Sequence, residues 1–263
     1  MYSAAVTPIV PAMHHRALRA TLYEVTLMFG NRARIGYTVP LSAVEIFPYE
    51  FYRMVPAGVT LVVSTCQSSL NDDREETYAE SLGVARQMAE AGVSIIVLGG
   101  ASPGAAFGAA KLQTAADDIE KEFGIQVTSA LAAQIHGLKQ LGARRLAVVT
   151  PFAADGRGDW DRLTSDGFEV VGVGGAGYTY ADFGRCPTDA PAGVARQLVR
   201  EHPEADTIFF PAAHWPAASN VETLEQETGK NVVSSAQAIV WEALRRCGVG
   251  DSIPGFGRLL RDH

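Results

Sequence analysis

Three stretches carry residue types that could do chemistry. The first is "IFFPAAHWPA" (208–217), an apolar run opening into small residues, with His214 as its one titratable side chain. Strand ends of open α/β sheets are where such folds place their ligands. The backbone around Ala212 and Ala213 and the His214 ring therefore form a candidate site, with Trp215 as an apolar wall. The second stretch is "GGASPGAAFGAAK" (99–111). A strand ends there at Gly99 and Gly100, Ala101 and Ser102 turn the chain, and a helix follows. Small residues leave N–H groups open to a ligand and Ser102 adds a hydroxyl, as an anion or oxyanion hole requires. The same residues also make an ordinary βα turn. The third candidate is Cys66, just after the second predicted strand. A histidine, with a reference pKa of about 6.5, can move a proton near neutrality. A lone cysteine is more often a small buried hydrophobe.

Other motifs lead away from chemistry. "GVGGAG" (172–177) satisfies G-x-G-x-x-G, but "YTYADFGRCPTDAP" follows it. No helix N-terminus is ready to receive a pyrophosphate. His136 lies inside a predicted helix as a structural residue, and His202 in the polar turn "REHPEAD" as an exposed one. No H-E-x-x-H and no His/Cys/Asp cluster points to a metal. No paired carboxylates sit at the predicted strand ends, so glycosidase chemistry has no support. Cys66, Cys186 and Cys247 stand far apart without a C-x-x-C pair. That argues against structural zinc and a disulfide framework and suits a reducing cytosol, so a cytoplasmic location is expected.

The elements that must position these residues alternate. From residue 34, strands are predicted at 34–39, 60–65, 93–100, 125–130, 144–152, 168–174, 207–212 and 231–236. Helices are predicted at 75–91, 107–124, 130–142, near 155–166, near 191–201, at 217–228 and at 237–248, with Gly92 and Gly124 ending the first two. Repeated βα units argue for parallel sheets. Two similar rounds of units predict two lobes facing each other across a cleft. With 47% hydrophobic and 19% charged residues among 263, the chain is globular in composition. Its 22 basic and 29 acidic residues give a net charge of −7 without a basic cluster, against nucleic-acid or anionic-membrane binding. No run reaches the roughly 18 apolar residues of a membrane helix. Residues 1–33 read as an N-terminal extension without a signal-type core.

Several stretches together resemble the aspartate/glutamate racemase superfamily, and within it the arylmalonate decarboxylase and maleate isomerase branch. They are "IGYTVPLSA" (35–43), "LGGASPGAAFGAA" (98–110), "LKQLGARRLAVVTPF" (138–152), "VETLEQETGKNVVSSAQA" (221–238) and "IPGFGRLLR" (253–261). The resemblance implies an α/β fold of two Rossmann-like lobes with parallel sheets related by pseudo-twofold symmetry, and an active-site cleft between them. The first lobe would hold residues 34–130 and 235–263, the second 131–234. It also implies no metal or organic cofactor and a small carboxylate substrate; the oligomeric state is left open, a homo-oligomer included.

Carried across, the first-lobe cysteine of the superfamily falls on Gly100 and the second-lobe cysteine on Ala212, so both are replaced here. Residues 100–102 resemble the decarboxylases' oxyanion-hole segment. Pro40 and Ala43 join the substrate-binding set, Ala43 where the isomerases and racemases use an asparagine and so decarboxylase-like. Phe152 stands where decarboxylases and isomerases usually have a tyrosine. Two-base racemisation is disfavoured, since neither face keeps an acid or base. Four readings stay open: another group, His214 or Cys66, supplies the proton of a decarboxylase, lyase or isomerase step; the hole and water suffice, as in a lyase or hydrolase step; the site binds a carboxylate without chemistry; or Ala212 is an engineered replacement of cysteine.

Overall fold

The computed structural model describes residues 29–41, 43–66, 74–99, 109–155 and 160–263. Two four-stranded parallel sheets form the frame. The first contains β1 (Ala33–Val39), β2 (Val59–Thr65), β3 (Ile95–Leu98) and β4 (Gln126–Ser129), in the order β2-β1-β3-β4. The second contains β5 (Arg145–Thr150), β6 (Glu169–Gly175), β7 (Thr207–Phe210) and β8 (Asn231–Ser234), in the order β6-β5-β7-β8. The permutation is the same in both, so the lobes repeat one topology.

Burial follows that order. Ile95 to Leu98 and Thr207 to Phe210 are buried along their whole length, as expected of inner parallel strands covered on both faces. The edge strands β2 and β6 are mostly half-buried. Helices α2 (Arg74–Glu90) and α3 (Ala109–Phe123) cover one face of the first sheet through Met88, Leu112 and Ile119. Gly92 and Gly124 follow these helices at φ of +72° and +67°, a conformation that costs glycine little.

The seam between the lobes is built from two helices of matching origin. α4 (Ala130–Gln140) leaves β4 through Ser129, whose hydroxyl accepts from the Ala132 amide. α8 (Ser235–Arg246) leaves β8 through Ser234, which forms a capping box with Gln237. Each helix packs against the opposite lobe as well as its own. Ile135 and Leu138 of α4 join Val148 and Phe209 of the second sheet. Ile239, Val240 and Leu244 of α8 join Ile35 and Tyr37 of the first. A buried polar group locks the pair: Glu242 accepts from the Thr128 hydroxyl at 2.9 Å and faces His136 Nδ1 at 2.7 Å. His136 is thus structural, with its pKa raised by that bond, and Glu242 is held low by His136.

Some elements differ from the sequence expectation. α1 (Ile46–Met54) was not anticipated, because Pro48 and a run of aromatics hide it. Pro48 lies in the first turn, where its missing N–H has no helical partner to lose. The helix expected at 217–228 is a 3₁₀ turn (Ala218–Asn220) running into α7 (Val221–Thr228). A second 3₁₀ turn (Tyr180–Arg185) and α9 (Arg258–Asp262) are further additions. α5 (Trp160–Ser165) is shorter than expected, and α6 (Ala190–Glu201) agrees to one residue. The glycines of "GVGGAG" mostly lie within β6: a Cβ on Gly172 would sit 2.4 Å from the His202 ring. They allow close packing, and His202 is half-buried against them rather than exposed.

Candidate active site

Three segments leave the carboxyl ends of β1, β6 and β7 and meet between the lobes, where open α/β sheets place ligands. They enclose a cleft of about 520 Å³. Leu41, Ala43, Val44, Glu45 and Ile46 line one wall, Tyr180, Phe183 and Arg185 the other, and His214 also reaches it. Glu45 and Gly184 touch across the mouth: a Cβ on Gly184 would lie 2.6 Å from Glu45 Oε2.

His214 lies in the segment after β7, its ring 6.3 Å from Tyr37 and 6.4 Å from Phe47. Nδ1 is buried and, among the described residues, has no hydrogen-bond partner. Burial among these rings lowers the His214 pKa to about 4, since the charged form loses its water. At neutral pH the side chain is an uncharged imidazole, able to donate or accept one hydrogen bond but not to act as a stored acid. Among the described residues, the Ala213 and His214 amides donate to no main-chain carbonyl.

Cys66 is fully buried behind this wall. Its amide donates to the Val39 and Leu41 carbonyls at 2.9 and 3.2 Å, tying β2 to the exit of β1. Burial, assisted by the Glu80 charge, pushes its thiol up to about 11. Cys66 is therefore a protonated thiol at pH 7, and a weaker acid than an ordinary cysteine.

The remaining sequence candidates divide. Ala43 lines the cleft, while Pro40 lies at the end of β1 without lining it. Phe152 backs the far wall, packed on Tyr180 at 5.1 Å and Phe183 at 5.8 Å. Ala212 and Ala213 sit behind His214 in the two hydrophobic cores. Trp215 is wholly buried against Phe210 and Tyr178 in the second lobe, so it is core rather than cleft wall. Gly100, Ala101 and Ser102 lie outside the described residues. Gly99 is described: its amide donates to the buried Thr38 hydroxyl at 3.0 Å. Gly100 and Ala212 are each the second residue beyond corresponding strands, β3 and β7. Among the described residues no group of three His, Cys, Asp or Glu is placed to hold a metal.

Four functional positions escaped the sequence reading. Glu45, Tyr180 and Arg185 depend on a helix and a 3₁₀ turn that the pattern does not announce. Gln134, buried in α4, donates from Nε2 to the Pro211 carbonyl at 3.1 Å and to Ser235 Oγ at 2.7 Å. It fixes the exit of β7 from the seam.

Residues 37–260 match the family model described as arylmalonate decarboxylase. The chain is 27% identical over 237 residues to an arylmalonate decarboxylase of Bordetella bronchiseptica, covering 86% of this chain and 95% of that protein. It is 31% identical over 151 residues to a maleate isomerase of Nocardia farcinica, a match spanning 51% of this chain and 54% of that one. A crystal structure of arylmalonate decarboxylase superposes with a TM-score of 0.74 at 24% identity, covering 86% of this chain and 98% of that one. The maleate cis-trans isomerase of Nocardia farcinica, carrying a covalently bound succinylcysteine intermediate, superposes with a TM-score of 0.72 at 22% identity, over 88% and 99% of the two chains.

Proposed function

We propose, for a chain that belongs to the arylmalonate decarboxylase family, a cofactor-independent enzyme of the decarboxylase/lyase or isomerase type acting on a small carboxylic acid. The observation that supports this reading is the cleft at the strand ends, where His214 and Arg185 line the wall and where, among the described residues, the Ala213 and His214 amides donate to no main-chain carbonyl. The substrate carboxylate would lie against those amides, with Arg185 contributing positive charge and the apolar wall of Leu41, Val44 and Phe183 receiving the rest of the molecule. In a decarboxylation the bond to the departing CO2 breaks and its electron pair passes into the remaining carboxylate. The enediolate so formed carries its charge on oxygens aimed at N–H donors, which stabilise it most in the transition state. In this reading Gly100, Ala101 and Ser102, the segment that resembles the decarboxylases' oxyanion hole, supply its other half.

The proton that completes the product then comes from water in the open cleft. Neither strand-end position carries a thiol, His214 is neutral, and the Cys66 thiol is buried with a raised pKa. Losing a positioned proton donor lowers a rate by about 10²–10⁴, so turnover would be slow and the product racemic. The same two pKa values favour one rival, a carboxylate-binding protein without chemistry.

Incubation with aryl- and alkylmalonates and with maleate in D2O, followed by NMR and chiral chromatography, separates the two. The enzyme reading expects α-deuterated racemic product or isomerised maleate. Saturable binding with no turnover or exchange would leave the binding reading. A single enantiomer would mean that a protein group delivers the proton. Activity appearing only in Ala212→Cys would identify Ala212 as the lesion in an otherwise intact site.

A further inference from the structure

Besides Glu242, the seam between the lobes holds a second buried carboxyl that the chemistry above does not use. Glu50, on α1, is fully inaccessible to solvent. Its Oε1 accepts from the Ser219 amide at 3.1 Å and from the Ser219 hydroxyl at 3.3 Å, across the seam. Among the described residues its Oε2 is buried with no partner at full hydrogen-bond geometry, the Ala218 amide being the further main-chain group that acts on the carboxyl. Arg53, one turn further along α1, donates to the same Ser219 hydroxyl at 2.8 Å. Both ends of this contact are continuous in the chain with segments that line the cleft. The residue before α1 and its first residue, Glu45 and Ile46, line one wall, and Ser219 lies five residues after His214.

We propose that Glu50 is a positioning residue, a proton-operated latch that seats the turn Ala218–Asn220 against α1 and thereby fixes the His214-bearing rim of the cleft. Unlatching carries the carboxyl from the seam to water and frees the segment 211–220 from the first lobe. The direction of its pH dependence follows from burial. Desolvation is the largest influence on Glu50 and raises its pKa to about 7, against the lowering effect of Ser219, Arg53 and the Ala218 amide. A solvated carboxyl in the unlatched form returns to 4.5. The unlatched form therefore releases its proton first, and rising pH between 4.5 and about 7 favours unlatching.

Among the described residues, Arg53 is the one charged group acting on Glu50. The turn presents the Ser219 amide and hydroxyl, and His214 stands neutral. On α8, which packs on α1, the charged side chains are engaged elsewhere. Glu242 holds Thr128 and His136, Arg245 the carbonyls of Val249 and Asp251, and Arg246 the Gln126 side chain.

The functional consequence rests on the carboxylate reading above, while the latch itself does not. Hydrogen exchange of the full chain, normalised to intrinsic rates, tests it between pH 5 and pH 8. Protection of segment 211–220 in the unaltered protein is expected to fall about 10- to 100-fold over that range, with β5 unchanged. In Glu50→Gln the step disappears, because the amide cannot titrate. Should that variant fail to fold, Ser219→Ala carries the test: protection is lower at every pH and the step remains. A pH-independent segment in the unaltered protein, or a step that persists in Glu50→Gln, overturns the proposal. Added malonate should restore protection at pH 8. A step that is present but insensitive to malonate supports the latch and tells against the carboxylate reading alone.

Discussion

Replacing His214 by phenylalanine should make the protein more resistant to acid, by an amount the structure sets. The ring occupies an aromatic niche beside Tyr37 and Phe47, and its buried Nδ1 has no partner among the described residues. A phenyl group fits the same niche without a nitrogen to desolvate. His214 has a pKa of about 4 in the fold and 6.5 when solvated, so the unfolded chain binds its proton more tightly. Stability contributed by the neutral ring is complete above pH 6.5 and is lost as pH falls toward 4. The loss amounts to about 2 kcal/mol at pH 5 and about 3 kcal/mol at pH 4. His214→Phe has no such loss. The difference in unfolding free energy between variant and parent should therefore grow by these amounts, starting from its value at pH 7.5. Urea unfolding followed by tryptophan fluorescence at pH 4, 5, 6 and 7.5 measures it. A difference constant with pH to within about 0.5 kcal/mol would refute the claim that His214 is held neutral by burial. Ligand binding should weaken in the variant, since an unpaired buried nitrogen is stability forgone at a site that uses it.

Two other substitutions probe the frame. Gly99→Ala places a methyl group 1.8 Å from the Thr38 carbonyl oxygen, which neither backbone can yield. It should cost about 3 kcal/mol or more and lower the thermal midpoint; a midpoint within error of the parent would show that the exit of β3 is not clamped to β1. Glu242→Gln removes the carboxylate that faces His136. The His136 resonance should then titrate lower, toward the ordinary value of about 6.5, and the variant should lose the stability that the depressed Glu242 carboxyl supplies above its own pKa. An unmoved His136 titration would place the two side chains apart in solution.

The alternation of strands and helices was legible because inner parallel strands are continuous apolar runs and their helices end at glycines. The carboxyl ends of β3 and β7 were legible for the same reason. α1 was not, since "IFPYEFYRM" has aromatics and a proline where a helical stripe would be sought. With α1 went Glu45 and Glu50. Arg185 was hidden by its setting, a 3₁₀ turn between glycine and proline. The protonation of His214 lies further still from the pattern. Tyr37 and Phe47, which dehydrate its ring, are more than 160 residues away along the chain. A reference pKa near neutrality suggested a proton carrier; the fold makes the residue a neutral one. Trp215 was misread for a related reason, as position beside a strand end does not say which way a side chain turns.

The exchange of α4 and α8 across the seam also orders the birth of the molecule. The first sheet leaves the ribosome well before the residues that cover one of its faces, since the apolar side of Ile35 and Tyr37 packs on Ile239, Val240 and Leu244 of α8. Until those residues emerge, that face of the nascent sheet is open. The second sheet waits for less, because α4 precedes all four of its strands, and of the buried residues on its seam face only Ala238 of α8 and Leu259 of α9 arrive after them. A ribosome stalled before α8 would hold an exposed apolar face, a natural ligand for a nascent-chain chaperone.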